Sequence, residues 1–162
     1  LYSSAASDVY KRQMQQPRVA KILKKIHNSK PLLTMLKRME MEPITPDIML
    51  NKINASLSRE VLTHHVVRKA LTYLEEHIPN LDSRFFTVVH GDVNHNNWLL
   101  SDRDELFLVD WEGAMIADPA IDIGMLLYNY VPENKWSKWF ETYGVQESLN
   151  LNKRMKLSLI HI

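Results

Sequence analysis

Residues 90–97 have the sequence HGDVNHNN, and residues 106–112 have the sequence LFLVDWE. Asp92 and Asn97 bring a carboxylate and a carboxamide into the first stretch, and the apolar run of the second ends at Asp110. Moving a phosphoryl group to a hydroxyl requires a base near the acceptor and divalent cations on the phosphate oxygens. Hard cations such as Mg²⁺ prefer carboxylate and amide oxygens. The pattern therefore predicts Asp92 as catalytic base and Asn97 and Asp110 as metal ligands.

The flanking residues predict how these side chains meet. Residues 86–89 form a short apolar run that is typical of a buried strand leading into the loop. Two further apolar runs, at 98–100 and 106–109, are separated by a polar turn. This arrangement predicts a β-hairpin whose ends lie side by side. Asp110 is therefore expected beside Asn97.

The complete pattern resembles that of the aminoglycoside phosphotransferase and choline kinase family, which shares the catalytic lobe of protein kinases. The family pattern is H-G-D, four residues, N, then D-W or D-F, then D-P-x-x-D. It is matched by His90, Gly91, Asp92, Asn97, Asp110, Trp111, Asp118, Pro119 and Asp122. The resemblance implies the same base and Mg²⁺ ligands, and it implies that Asp122 supports the catalytic loop from a helix.

The resemblance also implies a fold and a reaction. The fold is expected to be α+β and mostly helical, the C-terminal lobe of a kinase-like phosphotransferase with a small β-hairpin at the catalytic site. The reaction is expected to move the γ-phosphoryl group of ATP or GTP to a hydroxyl of a sugar, nucleoside, amino alcohol or aminoglycoside-like molecule. A narrower likeness, carried by residues 90–98, 109–112, 130–132 and 136–139, is to the YtmP-like (CcrZ-type) branch of bacterial enzymes.

Three residues of the pattern have structural explanations. The ring of His90 is expected to hold the loop by hydrogen bonding. Asp118 before Pro119 is typical of a helix N-cap. Asp122 follows one turn later among apolar neighbours, so we expect it to be buried and to accept hydrogen bonds from the backbone amides of residues 90–92.

Two other classes of function stay open. A pseudokinase or cell-cycle regulatory scaffold would use the lobe for protein binding without transferring phosphate, although the intact Asp92, Asn97 and Asp110 favour an enzyme. A metal-dependent hydrolase would use His90, Asp92 and His95 as ligands. Three ligands on one short loop make a poor tetrahedral cage, which disfavours this alternative.

Helical periodicity predicts three further segments. One is the longest helix, expected from about residue 58 to residue 77. Its buried side is expected to comprise Leu62, Val66, Ala70, Tyr73 and Leu74. The other two apolar stripes comprise Val19, Ile22, Leu23 and Ile26, and Trp136, Trp139, Phe140 and Tyr143. The aromatic stripe stops at Gly144 and indicates core packing.

The two ends of the chain differ from the rest. Residues 1–13 have no amphipathic period and no apolar stretch of a secretory signal, and together with residues 157–162 they resemble translated sequencing adapters. We therefore expect a truncated phosphotransferase lobe over residues 14–156 between two non-native segments. The four glycines are too far apart for a glycine-rich phosphate loop. An N-terminal lobe is therefore expected to be missing, and the resemblance implies that C-terminal helices are missing as well. The fragment alone is expected to be inactive.

Composition sets further limits. The chain has 162 residues, of which 45% are hydrophobic, enough for one sizeable core. The absence of cysteine excludes disulfides and thiolate metal sites and fits the cytoplasm. A formal net charge of +1 disfavours nucleic acid as a partner, and no apolar run reaches the roughly 18 residues of a membrane span. The expected partners are a nucleotide and a small hydroxylated substrate, and no protein partner can be read from the sequence.

Overall fold

Short strands carry the loop of residues 90–97, and helices surround them. The computed structural model describes residues 12–81 and 85–161. In chain order the elements are helices α1 (Pro17–His27), α2 (Lys30–Arg38), α3 (Pro46–Ser56), α4 (Arg59–Thr63) and α5 (His65–His77), strands β1 (Thr87–Val89), β2 (Trp98–Leu100), β3 (Leu106–Leu108) and β4 (Met115–Ala117), and helices α6 (Ala120–Tyr130), α7 (Trp136–Tyr143) and α8 (Leu149–His161). The α+β, mostly helical fold is confirmed. None of the helices in this part of the chain combines the length and hydrophobicity needed to cross a lipid bilayer.

The strands form two antiparallel pairs. β2 pairs with β3, with Trp98 opposite Leu108, which confirms the predicted hairpin. β1 pairs with β4, with Thr87 opposite Ala117. The loop of residues 90–97 therefore leaves one strand pair and enters the other, so both pairs fix its ends.

Helices α1 and α7 pack against each other and enclose the core on one side. The buried stripe of α1 is confirmed, since Val19, Leu23 and Ile26 are buried and Ile22 packs against the same cluster. The aromatic stripe of α7 is also core, because all four of its members are buried. α7 ends at Gly144, whose φ of +90° lies in the left-handed region that glycine adopts without a Cβ penalty.

Helix α6 is largely buried and contacts the loop of residues 90–97. Every side chain from Ala120 to Leu127 is buried. α6 also approaches α8 closely, because a Cβ added at Gly124 would lie 2.9 Å from the carbonyl oxygen of Met155. The neighbouring helix therefore holds α6 firmly, and side chains on α6 can position the loop.

The prediction of one helix over residues 58–77 is wrong. The chain forms α4 and α5, and His64 between them is extended, with φ −64° and ψ 128°. On the expected buried side only Leu74 is buried, and Val66 is 56% exposed. The reason is that α5 joins a core cluster through its C-terminal half, where Leu74 packs with Leu157 of α8.

The predicted non-native segments fall partly within the structure. Residues 1–11 lie outside the described residues. Leu157 and Ser158, from the segment predicted at the other end, lie in α8 and are buried. The hydroxyl of Ser158 donates to the Met155 carbonyl oxygen at 2.7 Å and lies 3.3 Å from the Ala120 carbonyl oxygen. The boundaries after residues 13 and 156 stay predictions.

Candidate active site

The loop of residues 90–97 brings Asp92 and Asn97 together. Asn97 Nδ2 donates to the backbone oxygen of Asp92 at 2.8 Å and to its Oδ2 at 3.1 Å. Asn94 Nδ2 donates to Asp92 Oδ1 at 2.6 Å. Asn97 is buried, whereas Asp92 is exposed. Two carboxamides thus orient a carboxylate that faces solvent, where it can receive a proton from an approaching hydroxyl.

Asp110 follows the point at which the hairpin meets this loop. The backbone N–H of Val109 donates to the Asn97 carbonyl oxygen at 2.9 Å. Strand pairing thus continues one residue past β3, and the exposed Asp110 comes next in the chain. Its φ of 64° and ψ of 68° place it in the left-handed region, which is uncommon for residues other than glycine.

His90 is buried and uses both ring nitrogens to hold the loop. The Asp92 N–H donates to His90 Nδ1 at 3.3 Å, and His90 Nε2 lies 3.0 Å from the Val109 carbonyl oxygen. Since Nδ1 accepts, the neutral ring carries its hydrogen on Nε2 and donates it to Val109. The ring therefore connects the start of the loop to the end of β3. These contacts agree with the structural role that the sequence predicts for His90.

The alternative metal site built on His90, Asp92 and His95 is not assembled. Both nitrogens of His90 are engaged by backbone groups, so the neutral ring offers no lone pair to a cation. His95 Nδ1 lies 3.1 Å from the hydroxyl of Tyr130. Within residues 12–81 and 85–161, no group of three or more His, Cys, Asp or Glu is arranged to hold a metal ion. These contacts argue against the hydrolase alternative.

Asp122 lies fully buried in the first turn of α6. Its Oδ2 accepts from the backbone N–H of His90 at 2.8 Å, and its Oδ1 accepts from that of Gly91 at 2.9 Å. The expected hydrogen bonds to the loop amides are therefore present. They hold the two residues that immediately precede Asp92.

Helix α6 makes two further contacts with the loop that have no counterpart in the sequence-based predictions. The backbone N–H of Val93 lies 3.2 Å from the sulfur of Met125, and that of His95 donates to the hydroxyl of Tyr130 at 3.1 Å. The indole N–H of Trp98 also donates to the Val93 carbonyl oxygen at 3.2 Å. The loop is therefore held along its length.

Asp118 closes the start of α6. The N-cap position is Pro119, one residue after the predicted one, and Asp118 Oδ1 accepts from the backbone N–H of Ala120 at 2.9 Å. Arg154 of α8 also places Nη1 at 2.7 Å from both carboxylate oxygens of Asp118. Through these contacts Asp118 joins the beginning of α6 to α8.

His27 belongs to the same network, although no sequence-based prediction includes it. Its Nε2 lies 3.0 Å from Asp122 Oδ2. One local signal points to its burial: His27 continues the row formed by Val19 and Leu23, each four residues apart on α1. A polar residue on the apolar face of a helix requires a partner, but the pattern does not identify Asp122.

The substitution Gly91→Ala is expected to destabilise the protein. Gly91 has a φ of +83°, and a Cβ there would lie 2.7 Å from the carbonyl oxygen of Gly113. The left-handed conformation alone costs a residue with a Cβ about 1–2 kcal/mol, and the contact with backbone adds to this cost. Urea denaturation should show that the free energy of unfolding falls by at least about 2 kcal/mol. Gly113→Ala is the comparison and should cost less, because Gly113 has no positive φ and its Cβ would lie 3.3 Å from the His90 carbonyl oxygen, which needs a shift of only a few tenths of an ångström. Equal losses would contradict the prediction.

Comparison with known proteins gives one family and several similar folds. Residues 8–157 match the model of the phosphotransferase enzyme family. A macrolide 2′-phosphotransferase type I is 23% identical, with a TM-score of 0.65 over 90% of this chain and 49% of that chain. Choline kinase LicA from Streptococcus pneumoniae is 20% identical, with a TM-score of 0.66 over 93% and 51%. Aminoglycoside phosphotransferase APH(3″)-Id from Streptomyces rimosus is 18% identical, with a TM-score of 0.65 over 98% and 63%.

The chain spans about half the length of the first two of these structures. At these identities the likeness shows a shared fold. The family model covers most of the chain, including every residue of the loop and α6 discussed above. The chain therefore belongs to the phosphotransferase enzyme family.

Proposed function

We propose that the full-length protein transfers the γ-phosphoryl group of ATP or GTP to a hydroxyl of a small molecule. The observation that carries this proposal is the exposed carboxylate of Asp92, oriented by two carboxamides on a loop anchored to the buried Asp122. Membership of the phosphotransferase family supports the reaction class. The choline kinase and macrolide phosphotransferase among the similar structures support a small-molecule acceptor.

In the proposed reaction Asp92 is the general base. The acceptor oxygen forms a bond to the γ-phosphorus, the bond from that phosphorus to the β–γ bridging oxygen breaks, and Asp92 takes the hydroxyl proton. The hydrogen bonds from Asn94 and Asn97 limit rotation of the carboxylate, so it needs little reorganisation when the acceptor binds. His90 and Asp122 hold the loop in position and do not take part in proton transfer.

The donor atoms near Asp92 suit a magnesium ion. Because Asn97 donates through Nδ2 to Asp92, its Oδ1 is the atom left to face a cation. Asp110 adds an exposed carboxylate at the adjoining end of the hairpin. We propose these two side chains as the ligands, since Mg²⁺ prefers such oxygens. When bound, the ion would neutralise charge on the phosphate oxygens.

The nucleotide co-substrate has support from a similar structure. LicA has been solved in complex with AMP; it is 20% identical to this chain, with a TM-score of 0.61 over 96% of this chain and 55% of that chain. We propose nucleotide binding for the full-length protein and no turnover for residues 1–162 alone, because the four glycines here are too dispersed to form a phosphate-covering loop. A cytoplasmic location and kinship with the YtmP-like branch are part of this proposal.

Metal dependence and an acceptor screen test this proposal. The full-length protein is incubated with Mg²⁺, ATP or GTP, and panels of sugars, nucleosides, choline-like alcohols and aminoglycosides, and phosphorylated products are detected by mass spectrometry. We expect product with one acceptor class, loss of activity with EDTA and recovery with added Mg²⁺. Nucleotide binding without transfer to any acceptor would instead support a pseudokinase scaffold. Tightly bound zinc with activity independent of nucleotide would support a hydrolase.

A further inference from the structure

A buried chain of three polar side chains runs from α7 through α1 to α6. The hydroxyl of Tyr143 lies 2.6 Å from His27 Nδ1, and His27 Nε2 lies 3.0 Å from Asp122 Oδ2. Asp122 is 0% exposed, His27 2% and Tyr143 5%. Of these three residues, only Asp122 has a role in the proposed mechanism, where it holds the loop. His27 and Tyr143 are buried without a role in that mechanism. Burying such groups costs free energy unless their hydrogen bonds serve the fold or the site.

The partners of Asp122 determine where the hydrogen of His27 lies. A carboxylate only accepts hydrogen bonds, so the Nε2 atom that faces Asp122 must carry a hydrogen. The other ring nitrogen, Nδ1, faces the hydroxyl of Tyr143, which donates to it when the ring carries a single hydrogen. With that single hydrogen on Nε2, the hydrogen bonds run in one direction, from Tyr143 to His27 to Asp122.

The hydroxyl of Tyr143 is suited to this donor role. Burial raises the pKa of Tyr143 well above its usual range, and the negative charges of Asp122 and Asp118 raise it further. The hydroxyl therefore keeps its proton under ordinary conditions. Its ring also stacks on that of Trp139, with centroids 5.2 Å apart, which fixes the direction of the hydroxyl.

His27 is also fixed through its backbone. The hydroxyl of Thr87 donates to the His27 carbonyl oxygen. Thr87 opens β1, the strand that leads directly into the loop. His27 therefore contacts strand β1 through its backbone oxygen and Asp122 of α6 through its side chain.

We propose that His27 is a positioning residue for the catalytic loop, oriented by Tyr143. Asp122 Oδ2 accepts from both His27 and the His90 N–H, while Oδ1 accepts from the Gly91 N–H. Loss of the His27 donor frees the carboxylate to rotate and loosens the two amides that precede Asp92. The effect on catalysis rests on the proposed function, whereas the effect on the loop amides does not.

Two substitutions of His27 in the full-length protein test this inference. His27→Leu removes both hydrogen bonds, whereas His27→Gln keeps an amide donor that can reach Asp122. We expect His27→Leu to speed amide hydrogen exchange over residues 90–93 about tenfold or more, and to lower kcat by a similar factor with KM for nucleotide changed less than about threefold. His27→Gln should restore most of both quantities. Tyr143→Phe should give a smaller change in the same direction.

Leu23→Ala is the matched control, because Leu23 lies one turn earlier on the same buried face of α1 and is 0% exposed. It should lower the melting temperature and leave exchange over residues 90–93 and kcat unchanged when both are measured well below that temperature.

Equal exchange in His27→Leu and Leu23→Ala, or no rescue by His27→Gln, would overturn the inference. If His27→Leu does not fold, unchanged exchange over residues 90–93 together with unchanged kcat in Tyr143→Phe would overturn it as well. If the wild-type protein transfers no phosphate, the proposed function fails, and the exchange data still decide the role of His27.

Discussion

Replacing Asp92 by alanine is expected to lower kcat of the full-length protein by about 10²–10⁴-fold, the range typical for loss of a general acid or base. The folded state should change little, because Asp92 is exposed. Its carboxylate accepts from Asn94 in an exposed contact and from the buried Asn97, whose Nδ2 keeps its bond to the backbone oxygen of residue 92 in the variant, so the loss should cost at most about 1 kcal/mol. A large effect on turnover with a small effect on stability is the signature of a residue that acts in the reaction.

Steady-state kinetics with the accepted substrate and thermal denaturation together check this prediction. Asp92→Asn should lose a similar amount of activity, since it keeps the shape of the side chain and removes the base. Asp102→Ala is the control, because it removes an exposed carboxylate from the hairpin turn and should leave kcat unchanged. Near-normal turnover of Asp92→Ala would refute the assignment of the base.

Replacing Asp122 by alanine is expected to have the largest effect on stability. The carboxylate is fully buried and accepts from the N–H groups of His90 and Gly91 and from His27 Nε2. Removing it leaves three donors without an acceptor in a dry site, which should lower the free energy of unfolding by about 3 kcal/mol or more. For a protein of this size the melting temperature should fall by on the order of 10 °C.

Differential scanning calorimetry measures this loss directly. Asp122→Asn should be intermediate, because its one amide oxygen can accept while its NH₂ group faces a donor. Asp47→Ala, which removes an exposed carboxylate from α3, should lie within about 0.5 kcal/mol of wild type. An unchanged melting temperature for Asp122→Ala would contradict the bracing role.

The loop and its hairpin could be predicted from sequence because their signals are local. Two short apolar runs, a polar turn between them and an abrupt change to Asp110 define the hairpin within residues 98–110. The burial of Asp122 is also a local inference, since a carboxylate between Ile121 and Ile123 must have donors. The catalytic and metal-binding roles of Asp92, Asn97 and Asp110 stay predictions.

Other features could not be predicted because they depend on distant partners. Strand β4 has only three residues, and its extended form comes from pairing with β1. The break at His64 has no glycine or proline to mark it, and Val66 is exposed because only the C-terminal half of α5 meets a buried cluster. The contact between His27 and Asp122 joins residues that no spacing rule connects.

The backbone of Asp110 separates the demands of folding from those of chemistry. Glycine adopts the left-handed region at least as readily as aspartate does, so the backbone conformation alone does not require a carboxylate at position 110. A descendant freed from selection for phosphate transfer is expected to drift to glycine or asparagine at this position without losing its shape. With the proposed role of Asp110 as a magnesium ligand, the residue at this position should distinguish active enzymes from inactive relatives within the family.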